Sequence, residues 1–372
     1  MKKLFFFCLA LLMGSLSAQA AEIKIGLMAP LTGAYASEGE DMRRVVEFMA
    51  EELNKAGGIN GAQIRLVIQD DGSDARTAAL AAQRLVTDGV AAVIGTYGSA
   101  VTEASQNIYN RNGILQVATG STAIRLSEKS FKLFFRTCPR DDEQGLVAVN
   151  TLLRMGYKDV AILHDNTAYA VGLAEETRDG LLKDGKTNLV FYDALQPNER
   201  DYNAILTRLR GTNPEVIFYT GYYPEAGMLL RQMREMGWQI PMLGGDAQNN
   251  TDLVKIAGVE AASGFYFVSP PMPDDLDSQS AKNFMKAYQA KYNATPRSIW
   301  SVIAGDAFSV IVEALRVTGA DAQKMGAYLR DNLKDFDGLT GKISFNAKGD
   351  RVGDLYRLYR VDDKGNFVLQ PK

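Results

Sequence analysis

From residue 22 onward, apolar β-rich runs alternate with stretches of helical periodicity. EIKIGLMAP (22–30) predicts a strand, and the amphipathic segment Glu38 to Lys55, closed by Gly57 and Gly58, predicts a helix. QIRLVIQD, AAVIG and ILQVA predict further strands, with helices starting near Asp74 and Ser99 between them. This alternation is the pattern of a parallel sheet covered on both faces. A second set follows, with strands at KDVAILHD (158–165), NLVFYDA, EVIFYTG, IPMLGG and GFYFVSP. Helices over Ala168–Lys183, Tyr202–Arg210 and Glu225–Met236 separate them. The expected fold class is therefore α/β, with two doubly wound parallel-sheet lobes built in succession. No short sequence repeat accompanies the duplication, so it is one of topology.

Residues 276–335 break the alternation and read as three helices, KNFMKAYQAKY, Ile299 to Val317 and DAQKMGAYLRDNL. The strands that follow, within ISFNAKGDRVGDLYRLYRVDD, need a sheet edge to join. The simplest assembly returns the helices to lobe one and crosses to lobe two near Gly349. Several crossings make a hinge, and the crevice outside the strand carboxyl ends is where open α/β sheets hold ligands.

The first twenty residues are set apart from this fold. Lys2 and Lys3, the apolar run Leu4 to Met13 and the small-residue site Ala18-Gln19-Ala20 have the order of a secretory signal peptide. A soluble, exported, monomeric protein is expected in the periplasm. Cys138 is then the only cysteine left, which leaves no intrachain disulfide and puts stability on the core. The formal net charge of −3, with no clustered Lys and Arg, argues against a nucleic-acid partner.

Chemistry narrows further in VIGTYGSAVTEASQ (93–106), a turn into a helix start that offers N–H groups to an anion. With no lysine and no Gly-Lys-Ser/Thr ending it is not a phosphate loop, and no dinucleotide fingerprint follows a strand. Ser99, His164 and Asp165 supply the residue types of a catalytic triad. Yet His164 and Asp165 are adjacent on a strand end and point to opposite faces, and no nucleophile elbow is present. One histidine and one mature cysteine leave a zinc site without ligands, and Asp70-Asp71-Gly72-Ser73-Asp74 reads as a turn with a helix cap instead of a calcium loop. No cofactor or metal is expected. Ser99, Gly120, Ser121, Thr122, Tyr222 and Asp246 all fall just after strand carboxyl ends. Hydroxyls with free helix-start N–H groups suit a carboxylate; an aspartate with a phenol and a carbonyl suits an ammonium. Together they describe an α-amino acid.

Ordered segments along the chain carry a resemblance. They include IKIGLMAPLTGAYASEGED, LNKAGGINGAQIRLVIQDDGSD, LVTDGVAAVIGTYGSAVT, NGILQVATGSTAIRL, FFRTCPRDDEQG, VAILHDNTAYAVGLAEE, FYTGYYPEAGMLLRQMREMG and LGGDAQNN. The chain resembles the periplasmic solute-binding proteins of the leucine-isoleucine-valine type, the extracytoplasmic component of branched-chain amino acid ABC importers. That resemblance implies the type I periplasmic binding protein fold, with a three-strand hinge. The lobes would be 21–139 with 270–349, and 140–269 with 350–372. It implies a carboxylate clamp at Ser99 and Thr122, and an ammonium clamp at the Gly120 carbonyl, Tyr222 and Asp246. Asp246 stands where relatives often carry glutamate. The side-chain pocket would be Tyr35, Glu38, Tyr97, Tyr169 and Trp300. Glu38 is the odd member, expected either to face solvent or to meet a donor on the ligand. A disulfide-bearing loop of some relatives is absent, since Ser73 and Gly98 occupy its region. A membrane permease is the implied partner. Three alternatives stand beside this reading. One is another small ligand (a polar or γ-amino acid, an amide or an aromatic carboxylate), the second a hydrolase using Ser99 and His164, and the third a sensory receptor domain.

Overall fold

The computed structural model describes residues 21–371, so the expected signal peptide lies outside the described residues. The first sheet consists of β1 (Glu22–Ala29), β2 (Gln63–Asp70), β3 (Ala92–Ile94), β4 (Leu115–Ala118) and β5 (Phe134–Arg136). Its order is β2-β1-β3-β4-β5 and every pairing is parallel. Successive side chains of β1 serve opposite faces, as the pleat requires. Ile25 and Leu27 join a core with Met42 and Val45 of helix Ala36–Lys55 and Ile303 and Ala307 of helix Ile299–Thr318. Met28 turns to the other face, against Ala78 and Leu85 of helix Ala75–Asp88 and Tyr109 of helix Ser99–Arg111. Both faces are covered, which is why this strand is a continuous apolar run.

The chain then forms β6 (Asp159–His164), β7 (Asn188–Ala194), β8 (Val216–Thr220), β9 (Met242–Gly244) and β10 (Tyr266–Ser269). A small antiparallel hairpin, β11 (Phe336–Gly338) and β12 (Gly341–Ile343), comes next, followed by β13 (Arg357–Val361) and β14 (Phe367–Leu369). The second sheet runs β14-β13-β10-β9-β8-β6-β7. It departs from the expected parallel arrangement, because β13 pairs antiparallel with both β10 and β14. The cause is local. A tight turn around Asp362, whose carboxylate accepts from Lys364 and Asn366 N–H groups, joins β13 to β14, and so short a connection permits only antiparallel pairing.

Of the elements that escaped the periodicity, two bear on the site. One is β5, three residues long, and the other is helix Asp141–Arg154, whose first turn is Asp141-Asp142-Glu143. The segment DAQKMGAYLRDNL, read as one helix, is an α-helix over Ala322–Ala327 running into a π turn over Tyr328–Asn332.

Three stretches of chain pass between the sheets: after β5, after β10, and between Asp350 and β13. Ion pairs gather there. Arg136 Nε meets Asp350 Oδ1 at 2.6 Å with both side chains essentially unexposed, and Arg140 Nη1 meets Asp350 Oδ2 at 2.9 Å. Arg136 also donates to the carbonyls of Ser121 and Ala123, at 3.0 and 2.9 Å. Thus the passage between lobes is tied to the loop after β4. Arg351 lies 3.6 Å from the buried Asp306 and donates to the Thr137 carbonyl. Among the described residues, no helix is long and apolar enough to cross a membrane.

Candidate functional site

The loop after β3 is shaped by close backbone approach. Gly95 has φ +117°, and a Cβ there would lie 2.0 Å from the Met28 carbonyl oxygen, so only glycine can make this turn. The chain then enters helix Ser99–Arg111, with Gly98 as its N-cap. Ser99 Oγ accepts from the Ala123 N–H at 3.2 Å, which leaves its own proton to donate. Beside it, Gly120 comes so near Tyr97 that a Cβ would sit 2.6 Å from the ring. Thr122 Oγ1 is buried with no partner in its own loop and lies beside the Asp141 carboxyl. Two hydroxyl donors and a helix N-terminus therefore converge, the arrangement that receives an anion. Ser121 does not join them. Its hydroxyl is held within the loop, 2.6 Å from Thr102 Oγ1 and donating to the Thr96 carbonyl at 3.0 Å. It braces the turn that presents Ser99.

The facing half is acidic. Asp246 starts a short 3-10 turn directly after β9. Its Oδ2 accepts from the Tyr356 hydroxyl at 2.9 Å, and its N–H donates to Gln144 Oε1 at 3.0 Å. Tyr169 donates to the same Gln144 oxygen at 3.2 Å. Gly245 is required beneath them, since a Cβ would meet Tyr169 Oη at 2.4 Å. A second carboxyl, unforeseen from sequence, belongs to Asp141 at the start of helix Asp141–Arg154. Its N–H donates to the Thr122 carbonyl at 3.1 Å, and its Oδ2 is buried with no partner. Burial pushes Asp246 up to about 7. Burial and then the nearby Asp246 charge push Asp141 well above the usual carboxylate range. Two buried acids without a cation are costly, and an ammonium is the group that would relieve both. The rule that located Ser99 and Asp246, a residue just past a strand end, also locates Asp141. It failed because β5 was too short to recognise.

Aromatic rings fill the rest. Tyr35 stacks on Tyr222 with centroids 4.3 Å apart. Tyr97 stands edge-on to Tyr222 and Trp300, at 5.8 and 6.0 Å, and Tyr169 lies 5.5 Å from Tyr222. Tyr35, Tyr97 and Trp300 come from the first lobe, Tyr169 and Tyr222 from the second, so the rings close the cleft between them. The lobes also bond directly. The Tyr223 hydroxyl reaches Ser37 Oγ and the Ala34 carbonyl, both at 3.0 Å, and Asn250 Nδ2 donates to Glu38 Oε1 at 2.5 Å. Glu38 is completely buried, so it does not face solvent, the first of its two expected placements. Burial raises its carboxyl to about 7. Outside the Tyr35–Tyr222 stack lies a cavity of about 440 Å³, lined from both lobes by Gly98, Ser73, Thr167 and Asn198.

The rival chemistries find little support in the geometry. His164 accepts from the Asn166 N–H through Nδ1 at 3.2 Å and packs on Tyr192, while Asp165 accepts from Thr167 N–H. Neither side chain is engaged with Ser99. In the acidic turn, Asp70 accepts from the N–H groups of Leu31, Thr32 and Gly72, and Asp74 caps the next helix through Thr77 N–H. Asp70 Oδ2 takes the Thr32 hydroxyl as well, so these carboxylates serve the turn and the helix cap.

Comparison with known proteins agrees with this geometry. The family model for periplasmic binding proteins matches residues 22–366. A leucine-, isoleucine-, valine-, threonine- and alanine-binding protein of Pseudomonas aeruginosa is 34% identical over 349 residues, 93% of this chain and 91% of its own. A leucine-binding protein of Thermotoga maritima has a similar structure, with TM-score 0.86 and 27% identity over 94% of this chain and 98% of that one. A branched-chain amino acid transporter substrate-binding protein of Streptococcus pneumoniae, solved with isoleucine, gives TM-score 0.84 and 29% identity over 94% and 100%.

Proposed function

Because the chain belongs to the periplasmic binding protein family, we propose that it captures a small α-amino acid between its lobes and presents the closed form to the permease of an ABC importer. The observation that carries this is the meeting in one buried cleft of two carboxyls that burial raises, Asp141 and Asp246, with the hydroxyls of Ser99 and Thr122 at a helix start. The ligand carboxylate lies on Ser99 and Thr122. Its ammonium lies at Asp246 and Asp141, with the Gly120 carbonyl and Tyr222 completing the clamp. Tyr35, Tyr97, Tyr169 and Trp300 enclose the side chain, of the branched-chain or another aliphatic size class to which the named relatives' ligands belong.

Closure follows from where these groups are anchored. Ser99 belongs to the first lobe and Asp246 to the second, so a zwitterion binds the closed form far better than the open one. Only such a difference shifts the equilibrium. At a Kd of about 1 μM, about 8 kcal/mol would be available for ordering and closure together. The hinge lies at 139/140, 269/270 and 349/350, and the protein works as a monomer in the periplasm, exported by its first twenty residues.

A thermal-shift screen against amino acids and small carboxylic acids tests the reading, since a ligand of the folded state raises Tm by mass action. Stabilisation by α-amino acids, and none by the corresponding desamino acids, is expected. Stabilisation by carboxylic acids lacking the ammonium would overturn it.

A further inference from the structure

Three polar atoms at the side-chain end of the cleft are buried and unmet: Glu38 Oε2, Tyr97 Oη and Trp300 Nε1. Their residues are 0%, 2% and 1% exposed, so bulk water does not serve them. They belong to one neighbourhood. The Tyr97 and Trp300 rings meet edge to face, Glu38 is the charge that acts most strongly on the Tyr97 hydroxyl, and Ser298, a hydrogen-bonding neighbour of Glu38, accepts through Oγ from the backbone N–H of Trp300 at 3.1 Å. Tyr97 in turn borders Gly120 and precedes Ser99 by two residues, which puts this neighbourhood beside the carboxylate half of the cleft.

Resting on the amino-acid reading above, we infer that this end of the cleft is a hydrogen-bonding subsite. It favours a ligand of branched-chain size whose side chain carries a neutral hydroxyl or carboxamide. The donor inventory selects the chemistry. An indole N–H can only donate, an ionised carboxylate can only accept, and a phenol does both. A matching group must therefore accept from Trp300 and donate to Glu38. An ammonium or guanidinium cannot accept, and a side-chain carboxylate cannot donate and would face the charge of Glu38. Hydroxyls and carboxamides do both, and either can reverse its role should Glu38 carry a proton. An alkyl side chain of the same size would leave all three atoms unpaired. A site built to bond a hydroxyl discriminates against the analogue lacking it more sharply than an apolar pocket distinguishes sizes.

Calorimetric titration with two near-isosteric pairs, threonine against valine and asparagine against leucine, tests the inference on the unmodified protein. The polar member of at least one pair is expected to bind at least about tenfold more tightly, and the winning pair separates hydroxyl from carboxamide. In Trp300→Phe, which keeps an aromatic ring but removes the indole N–H, the polar-to-aliphatic ratio is expected to shrink, the loss of ring contact being common to both members of a pair. Valine and leucine binding as tightly as threonine and asparagine would overturn the subsite while leaving the amino-acid reading intact. If none of the four, nor alanine, binds, the amino-acid reading fails and the subsite with it.

Discussion

Asp141 and Asp246 are joined through Gln144, whose Nε2 lies 3.5 Å from Asp141 Oδ1 and whose Oε1 takes the Asp246 N–H. Left without a cation, they destabilise the closed protein; given one, they hold it. Asp246→Ala should abolish amino-acid binding. Asp141→Asn should weaken it by about 3 kcal/mol or more, over a hundredfold, because a buried ammonium would lose a counter-charge. Without ligand, the same variants should unfold at equal or higher temperature than the parent, since a buried charge has been removed. Calorimetry and thermal melts of each variant check both halves. Asp246 was legible in the sequence because IPMLGG is plainly a strand and the residue after it stands at its carboxyl end. Asp141 was not, because FFR is too short to show a period and the acidic run behind it looks like an exposed turn. Ser121 misled for a different reason. Position in the loop says nothing about whether a hydroxyl is already spent on Thr102 and Thr96.

Among the elements, the passages between the sheets carry a buried charge pair, Arg136 with Asp350. Although burial opposes it, Arg136 and Arg140 hold the Asp350 carboxyl below the usual carboxylate range. A depressed acid contributes stability above its unfolded pKa and loses it as pH falls through the folded one. Asp350→Asn should therefore cost about 3–5 kcal/mol at neutral pH, by stranding Arg136, and the deficit should narrow in strong acid. The urea midpoint measured across pH reads this directly. Sequence patterning located long elements such as Ile299–Thr318 and Asn188–Ala194 to within a residue or two, because a long apolar period dominates local propensity. It missed the antiparallel edge formed by β13 and β14, since the short turn around Asp362 that sets their direction has no signal in the apolar period.

For the whole molecule, closure is a balance between ring contacts, the bonds of Tyr223 and Asn250 across the cleft, and the cost of burying acids. Glu38 and Asp246 are each raised to about 7 in the closed form, so closing takes up protons. A raised carboxyl favours the closed form at low pH and progressively less as pH rises through the closed-state value. Asp41 and Arg297 also face Glu38, with opposing effects smaller than that of burial. Without ligand, the closed fraction should therefore rise as pH falls from about 8 to about 5, read by energy transfer between dyes placed on the two lobes. Near neutral pH the ligand ammonium supplies what the proton supplies in acid.

Small-angle scattering of the protein with and without a stabilising amino acid tests this coupling most directly. At neutral pH the radius of gyration should contract on addition of the ligand, and Asp246→Ala should show no contraction at the same concentration. An unchanged radius in the parent despite saturation, or full contraction in Asp246→Ala, would contradict the account.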